Sequence, residues 1–140
     1  MKVAETLTTR DIGEAENALR ANLIRVISTA GLEFGHWVAI QMITNGNASI
    51  TGSDLSKPLK ISVDEAQSLL DSLQAAGIIH QEFDEYCITE TGTATVERLR
   101  VQVKAITKAV FCELDSNDLI AAHRVLSIIA VRASTLLNAS

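Results

Sequence analysis

The sequence predicts a mainly α fold (α+β) in which one small β-hairpin interrupts a series of helices. Three observations lead there. Apolar residues recur at three- and four-residue steps through most of the 140-residue chain. Aromatic residues make up only 4% while alanine, leucine and isoleucine dominate, a balance that favours packed helices over a sheet sandwich. Seven glycines and one proline are too few for a linker-rich chain, so they act as punctuation between elements.

The first helix is read from about Asp11 to Thr29. Ile12, Ala15, Leu19, Leu23, Val26 and Ile27 form its stripe, Glu16 and Arg20 an i,i+4 pair, and Gly31 its end. The second, from Glu33 to Thr44, is apolar on more than one side and predicts central burial. Asn45-Gly46-Asn47 stops it. A short third helix starts near Gly52, capped by Thr51 or Ser53, and Pro58 limits its length. Ser62-Val63-Asp64-Glu65 has the spacing of a capping box in which each residue satisfies the other's backbone N–H. The helix it opens runs to about Ala76, buries Val63, Ala66, Leu69, Leu70 and Leu73, and ends at Gly77 in the left-handed region. Ile78-Ile79-His80 and Tyr86-Cys87-Ile88 read as paired strands. Thr89 or Thr91 starts a long helix to about Glu113. Ser116 or Asp115 caps a final helix to about Asn138.

The segment 50–92, a short helix, a turn, an amphipathic helix and a small hairpin, therefore has the shape of a nucleic-acid reader, and its charge is the difficulty. Lys57 and Lys60 stand against Asp54, Asp64, Glu65, Asp71, Glu82, Asp84, Glu85 and Glu90, a net charge of −6 where the whole chain has −5. Affinity for phosphates depends on the local field over the contact face, so weak non-specific binding is the expectation. The terminal helices are more apolar than one small core can absorb, which predicts a two-fold homodimer built from helices 11–31 and 93–139.

Cys87 and Cys112 lie far apart without metal-like spacing and read as reduced structural cysteines. His36, His80 and His123 are scattered. With no nucleophile motif and no glycine-rich phosphate loop, the sequence predicts a non-enzyme with no cofactor and no metal site. The N-terminus has no apolar leader. The run Leu126 to Val131, broken by Ser127 and ended by Arg132, reads as far short of a membrane span. A soluble cytoplasmic protein without a membrane partner is the expectation.

Several segments carry a more specific likeness. They are Leu32 to Ile40 at the opening of the second helix, Leu55 to Leu59, and Ile61-Ser62 through Leu69-Leu70 to Ala76-Gly77-Ile78-Ile79. Ile88-Thr89-Glu90-Thr91-Gly92 after the hairpin and Leu114 to Leu119 before the last helix complete the set. In this order they resemble the MarR family of bacterial transcription regulators over nearly the whole chain, read as a single domain, 1–140. The resemblance implies a winged helix-turn-helix homodimer on a pseudo-palindromic double-stranded DNA operator, with a small aromatic or anionic effector. This sequence departs from the family pattern in two places. Its hairpin is shortened and carries no arginine, and serines 68 and 72 stand where arginines are frequent.

On that basis Gln67 and Ser68 are the candidate base contacts, early on the exposed face of the recognition helix. Asp64 could accept from a cytosine amine. Lys57, Lys60 and His80 are candidate phosphate contacts. Arg20, His36 and Trp37 are candidate ligand-binding residues between helices. An adaptor on the same fold, acting through protein partners, is the alternative reading of the acidic reader.

Overall fold

The computed structural model describes residues 5–139, in the order α1 Thr9–Ser28, α2 Phe34–Thr44, α3 Gly52–Leu59, α4 Val63–Ala75, β1 Ile79–Glu82, β2 Glu85–Ile88, α5 Glu90–Phe111 and α6 Ser116–Asn138. The chain forms two compact units, one through Ile106 and one from Thr107.

Local chemistry sets the helix ends. Thr8 and Asp11 form a full capping box, which starts α1 earlier than the apolar stripe alone suggests. Thr51, not Ser53, caps α3, with Asp54 returning the bond to the Thr51 N–H at 2.9 Å. Those bonds from Thr51 hold the Asp54 carboxyl below its ordinary range. Ser62 accepts from the Glu65 N–H at 3.0 Å, but the reciprocal half differs from expectation. The Glu65 carboxylate takes the Ser62 hydroxyl at 3.3 Å. Pro58 is tolerated inside α3 because the helix ends one residue later, with Lys60 left-handed at φ 55°.

The core of the first unit draws on every element it contains. Ile27, Ile40, Leu55, Leu70, Leu73, Ile79, Val96 and Leu99 are all essentially inaccessible. Ala66, Leu70 and Leu73 form the buried face of α4, while Val63 is half exposed and falls outside it. The α3 helix packs on α4, and α2 lies against both α4 and β2. Gly52 permits the close approach of α3, since a Cβ there would come 3.0 Å from the Val63 carbonyl.

The hairpin is antiparallel, with Ile79 opposite Ile88 and Glu82 opposite Glu85, which leaves Phe83-Asp84 as a two-residue turn. Phe83 adopts φ 56° and is 97% exposed. Two short strands are marginal alone. This pair is supported by the buried Tyr86 ring and by the Tyr86 N–H, which donates to the Ala48 carbonyl at 2.8 Å. Thr89 starts α5. Its hydroxyl donates to the Gly77 and Ile78 carbonyls and accepts from the Gly92 N–H.

The second unit contains the end of α5 and all of α6, which Asp115 caps by accepting from Asn117 and Asp118. None of its described residues is buried. Val110, Phe111, Leu114, Ile120, Leu126, Ile129, Val131 and Leu136 are all exposed. Among the described residues, α6 is long and apolar enough to cross a membrane by length and composition. The run Leu126 to Val131 understates it, because apolar residues continue on both sides.

Candidate functional site

The turn between α3 and α4 leaves one face of α4 free. Asp64, Ser68, Asp71 and Ala75 follow one another at three- and four-residue steps on that face, and all are exposed. Gln67 is half-buried at its edge, and its amide donates to Asp71 Oδ1 at 3.0 Å. Lys57 in the last turn of α3 and Lys60 at its cap are exposed on either side of Pro58. The free face is thus acidic at Asp64 and Asp71, and among the described residues Lys57 and Lys60 bring the nearby cations at the turn. Beyond the hairpin, Arg98 is exposed. Arg100 is engaged on its own chain, 3.6 Å from Glu97 and 3.5 Å from Gln41 Oε1.

Behind that face lies a cavity of about 580 Å³, walled by α2, the α3–α4 turn and α4. Its lining includes Phe34, His36, Leu59, Ile61 and Leu69. Ser68 and Ser72 add hydroxyls, Glu33 and Glu65 add carboxylates, and among the described residues no lysine or arginine contributes. At Gly35 a Cβ would meet the end of the Leu69 side chain at 2.5 Å, so a larger residue there would have to displace a lining residue of the cavity.

Of the three ligand residues expected from sequence, only His36 reaches this cavity. Trp37 is buried in the hydrophobic core. Arg20 pairs with Glu16 and stacks 4.5 Å over the Phe34 ring, so it supports a lining residue without lining the cavity itself. Adjacent helical residues point about 100° apart, which is why His36 and Trp37 serve different surroundings.

His36 is buried and fully engaged. Its Nδ1 accepts from the Glu33 N–H at 2.9 Å, which places the ring proton on Nε2, 3.2 Å from Ser72 Oγ. The imidazole therefore ties the start of α2 to the middle of α4. Burial lowers its pKa from the ordinary 6.5, with Glu33 opposing in part. The folded chain thus resists a proton that the unfolded chain accepts. As the pH falls below 6.5, the unfolded state binds more protons and stability declines, until the pH passes the lowered folded value. Urea unfolding between neutral pH and about pH 5 is expected to show this decline. His36→Asn, which retains an acceptor for the Glu33 N–H, should flatten it, and an unchanged slope in that variant would contradict the assignment.

His80 lies exposed on β1, directly opposite Cys87, with Glu82 two residues along the same strand. The metal-capable atoms of these three side chains lie within 4.8 Å of one another. Nothing in the linear spacing marks these three as a group, since the histidines are scattered and no paired His/Asp spacing is present; the antiparallel register assembles them.

The wider likenesses agree with this architecture. The winged helix-turn-helix family matches residues 38–107, half of the chain. No curated protein matches it. Among solved structures, the MarR family protein Rv2887 of Mycobacterium tuberculosis in complex with DNA is 18% identical over 89% of this chain and 98% of that one, with a TM-score of 0.71. The same protein in complex with salicylic acid is 18% identical over 89% and 99%, with a TM-score of 0.69. A MarR family protein of Bacillus stearothermophilus is 17% identical over 92% and 99%, with a TM-score of 0.66. At these identities the likeness is one of fold. The chain belongs to the winged helix-turn-helix family, and its fold is that of the MarR family proteins.

Proposed function

We propose that this protein is a dimeric transcription regulator that places α4 in the DNA major groove and responds to a small aromatic ligand. The observation that carries the reading is the free outer face of α4, held across α3 by close packing and unused by the protein's own core. Gln67 and Ser68 are the base-contact residues, with Asp64 as an acceptor for cytosine. Lys57 and Lys60 supply the phosphate contacts, and His80 on the hairpin a further one. With so few cations, affinity should be modest and strongly reduced by salt. The test is titration into DNA from upstream of the protein's own gene and into random DNA. Failure to form a specific complex at about 50 mM salt would sink the reading. The acidic reader supports a second reading, an adaptor that binds a basic protein partner, which that failure would favour.

A second copy of this chain is the partner we propose for the apolar surface of α6 and the end of α5. Exposed apolar area on this scale marks an interaction surface. A bilayer fits less well. Only thirteen residues separate Asp118 from Arg132, and Arg124 interrupts them, whereas a span needs about 20 apolar residues. Arg124 near mid-span would cost about 3 kcal/mol. This favours a second copy over a bilayer as the cover for α6.

The cavity between α2 and α4 is the proposed ligand site, and its size suits a small organic molecule. A ring that enters it and competes for His36 Nε2 or the Ser72 hydroxyl would shift α4 relative to α2. Paired half-sites lie roughly 34 Å apart, so a modest shift of α4 in each subunit releases one of them. Salicylate, held by the Mycobacterium tuberculosis protein, is the first probe. For an anion the lining offers the two serine hydroxyls and His36, while Glu33 and Glu65 repel it. Glu65→Gln is therefore expected to tighten salicylate binding about three-fold, the effect of one charge at roughly 7 Å in water-like surroundings. Trp37 fluorescence provides the readout, and weaker binding in the variant would place the ligand elsewhere.

A further inference from the structure

Strand register gathers a set of metal-type donors on the hairpin. His80 faces Cys87, and Glu82 faces Glu85. Alternation along each strand puts these four on one side and Ile79, Gln81, Tyr86 and Ile88 on the other. Ile79 and Tyr86 are buried, so the donor side looks outward, with His80, Glu82 and Glu85 exposed and Cys87 half-buried. His80 Nε2 lies 3.9 Å from a Glu82 carboxylate oxygen. One donor atom from each of His80, Glu82 and Cys87 lies within 4.8 Å of the others.

We propose that His80, Glu82 and Cys87 bind one thiophilic divalent cation of the zinc class on the outer face of the wing. An imidazole, a thiolate and a carboxylate are the donors that zinc takes, at about 2.0–2.3 Å each. Tetrahedral ligation asks the donor atoms to close to about 3.5 Å from one another. Rotation of the exposed His80 and Glu82 side chains supplies that closure. Calcium and magnesium are poor occupants, because they want six or more oxygens and gain nothing from a thiol. Glu85, across the turn from Glu82, or a water takes the fourth position. The surrounding carboxylates, including Asp84, raise the local concentration of cations.

Binding is balanced by one proton. The Cys87 thiol loses it to solvent as the sulfur bonds the metal, and neutral His80 coordinates through a ring nitrogen. Each occupied site therefore adds one positive charge to segment 50–92, and it joins β1 to β2 beside their turn. His80 serves in both proposals, but metal binding is read without DNA, so the two can fail separately.

Cobalt(II) titration of the untagged, reduced protein tests the site. One equivalent should give a thiolate-to-cobalt charge-transfer band in the near ultraviolet with tetrahedral bands in the visible, and zinc should displace both. Cys87→Ser should abolish the charge-transfer band, and Cys112→Ser should leave it intact. His80→Ala should weaken binding at least ten-fold. All the substituted positions are partly or fully exposed, and far-ultraviolet circular dichroism checks that each variant folds. Should Cys87→Ser fail to fold, His80→Ala carries the decision. Absence of the band at a large excess of cobalt overturns the proposal. So does a band that survives Cys87→Ser, or affinity unchanged in His80→Ala.

Discussion

Gly92→Ala is expected to destabilise the first unit by about 3 kcal/mol or more, beyond the usual cost of overpacking. A Cβ at this position would fall 2.1 Å from the Ile78 carbonyl oxygen and 2.9 Å from both the Ile78 carbonyl carbon and Ile88 Cγ1. Backbone cannot rotate aside as a side chain can. The same few atoms are also fixed by hydrogen bonds. The Thr89 N–H donates to Ile78 at 2.9 Å, and the Thr89 hydroxyl joins Gly77, Ile78 and Gly92. Relief of the clash would have to pull α5 away from the junction of α4 and β1, losing those bonds together. Urea unfolding reads the effect as a fall in midpoint. A loss smaller than about 1 kcal/mol would mean that the junction can relax in a way its contacts do not suggest.

The double substitution Leu126→Glu with Ile129→Glu is expected to convert the proposed dimer into a monomer. These residues sit one helical turn apart on α6 and remain 43% and 39% exposed in the single chain. If a second copy covers them, two carboxylates would be taken out of water without partners, at several kcal/mol each. Dimer affinity should fall by at least a hundred-fold, which corresponds to about 3 kcal/mol. Sedimentation velocity distinguishes the states. A wild-type protein that is monomeric at micromolar concentration would dispose of the dimer, and an unaffected variant dimer would exclude this face of α6. The same substitution should weaken operator binding steeply, since two half-sites can no longer be engaged together.

Much of the fold was legible because its causes are local. Gly31 and Gly77 stop their helices at φ 75° and 76°, as only glycine does without cost. Thr51, Ser62, Thr89 and Asp115 cap helices through bonds to residues two or three positions away. The three- and four-residue recurrence of Ala66, Leu70 and Leu73 names the buried face of α4 without reference to the rest of the chain. The Thr-x-x-Gly step after the hairpin was recognisable as a pattern. Its reason, a backbone oxygen where a Cβ would go, was not.

Side-chain destinations were less legible. Trp37 and His36 both suit a cleft by composition, yet the roughly 100° step between neighbouring helical residues puts the indole in the core and the imidazole in the cavity wall. The sequence places Gln67 on the exposed face of α4, whereas in the fold it is half-buried and its amide donates to Asp71. Ser68 sits where it both faces outward and lines the cavity.

The sequence by itself determined the order of the helices, the glycine stops of α1 and α4, the hairpin and the charge deficit of segment 50–92. Each of these depends on neighbours within a turn or two of chain, or on simple addition of charges. Only the tertiary structure decided that His36 joins Glu33 to Ser72, 36 positions further on. It also decided that a cavity opens between α2 and α4, and that His80 and Cys87 meet across the hairpin. These depend on how helices approach and on strand register, where one glycine or a one-residue shift changes which side chains can touch.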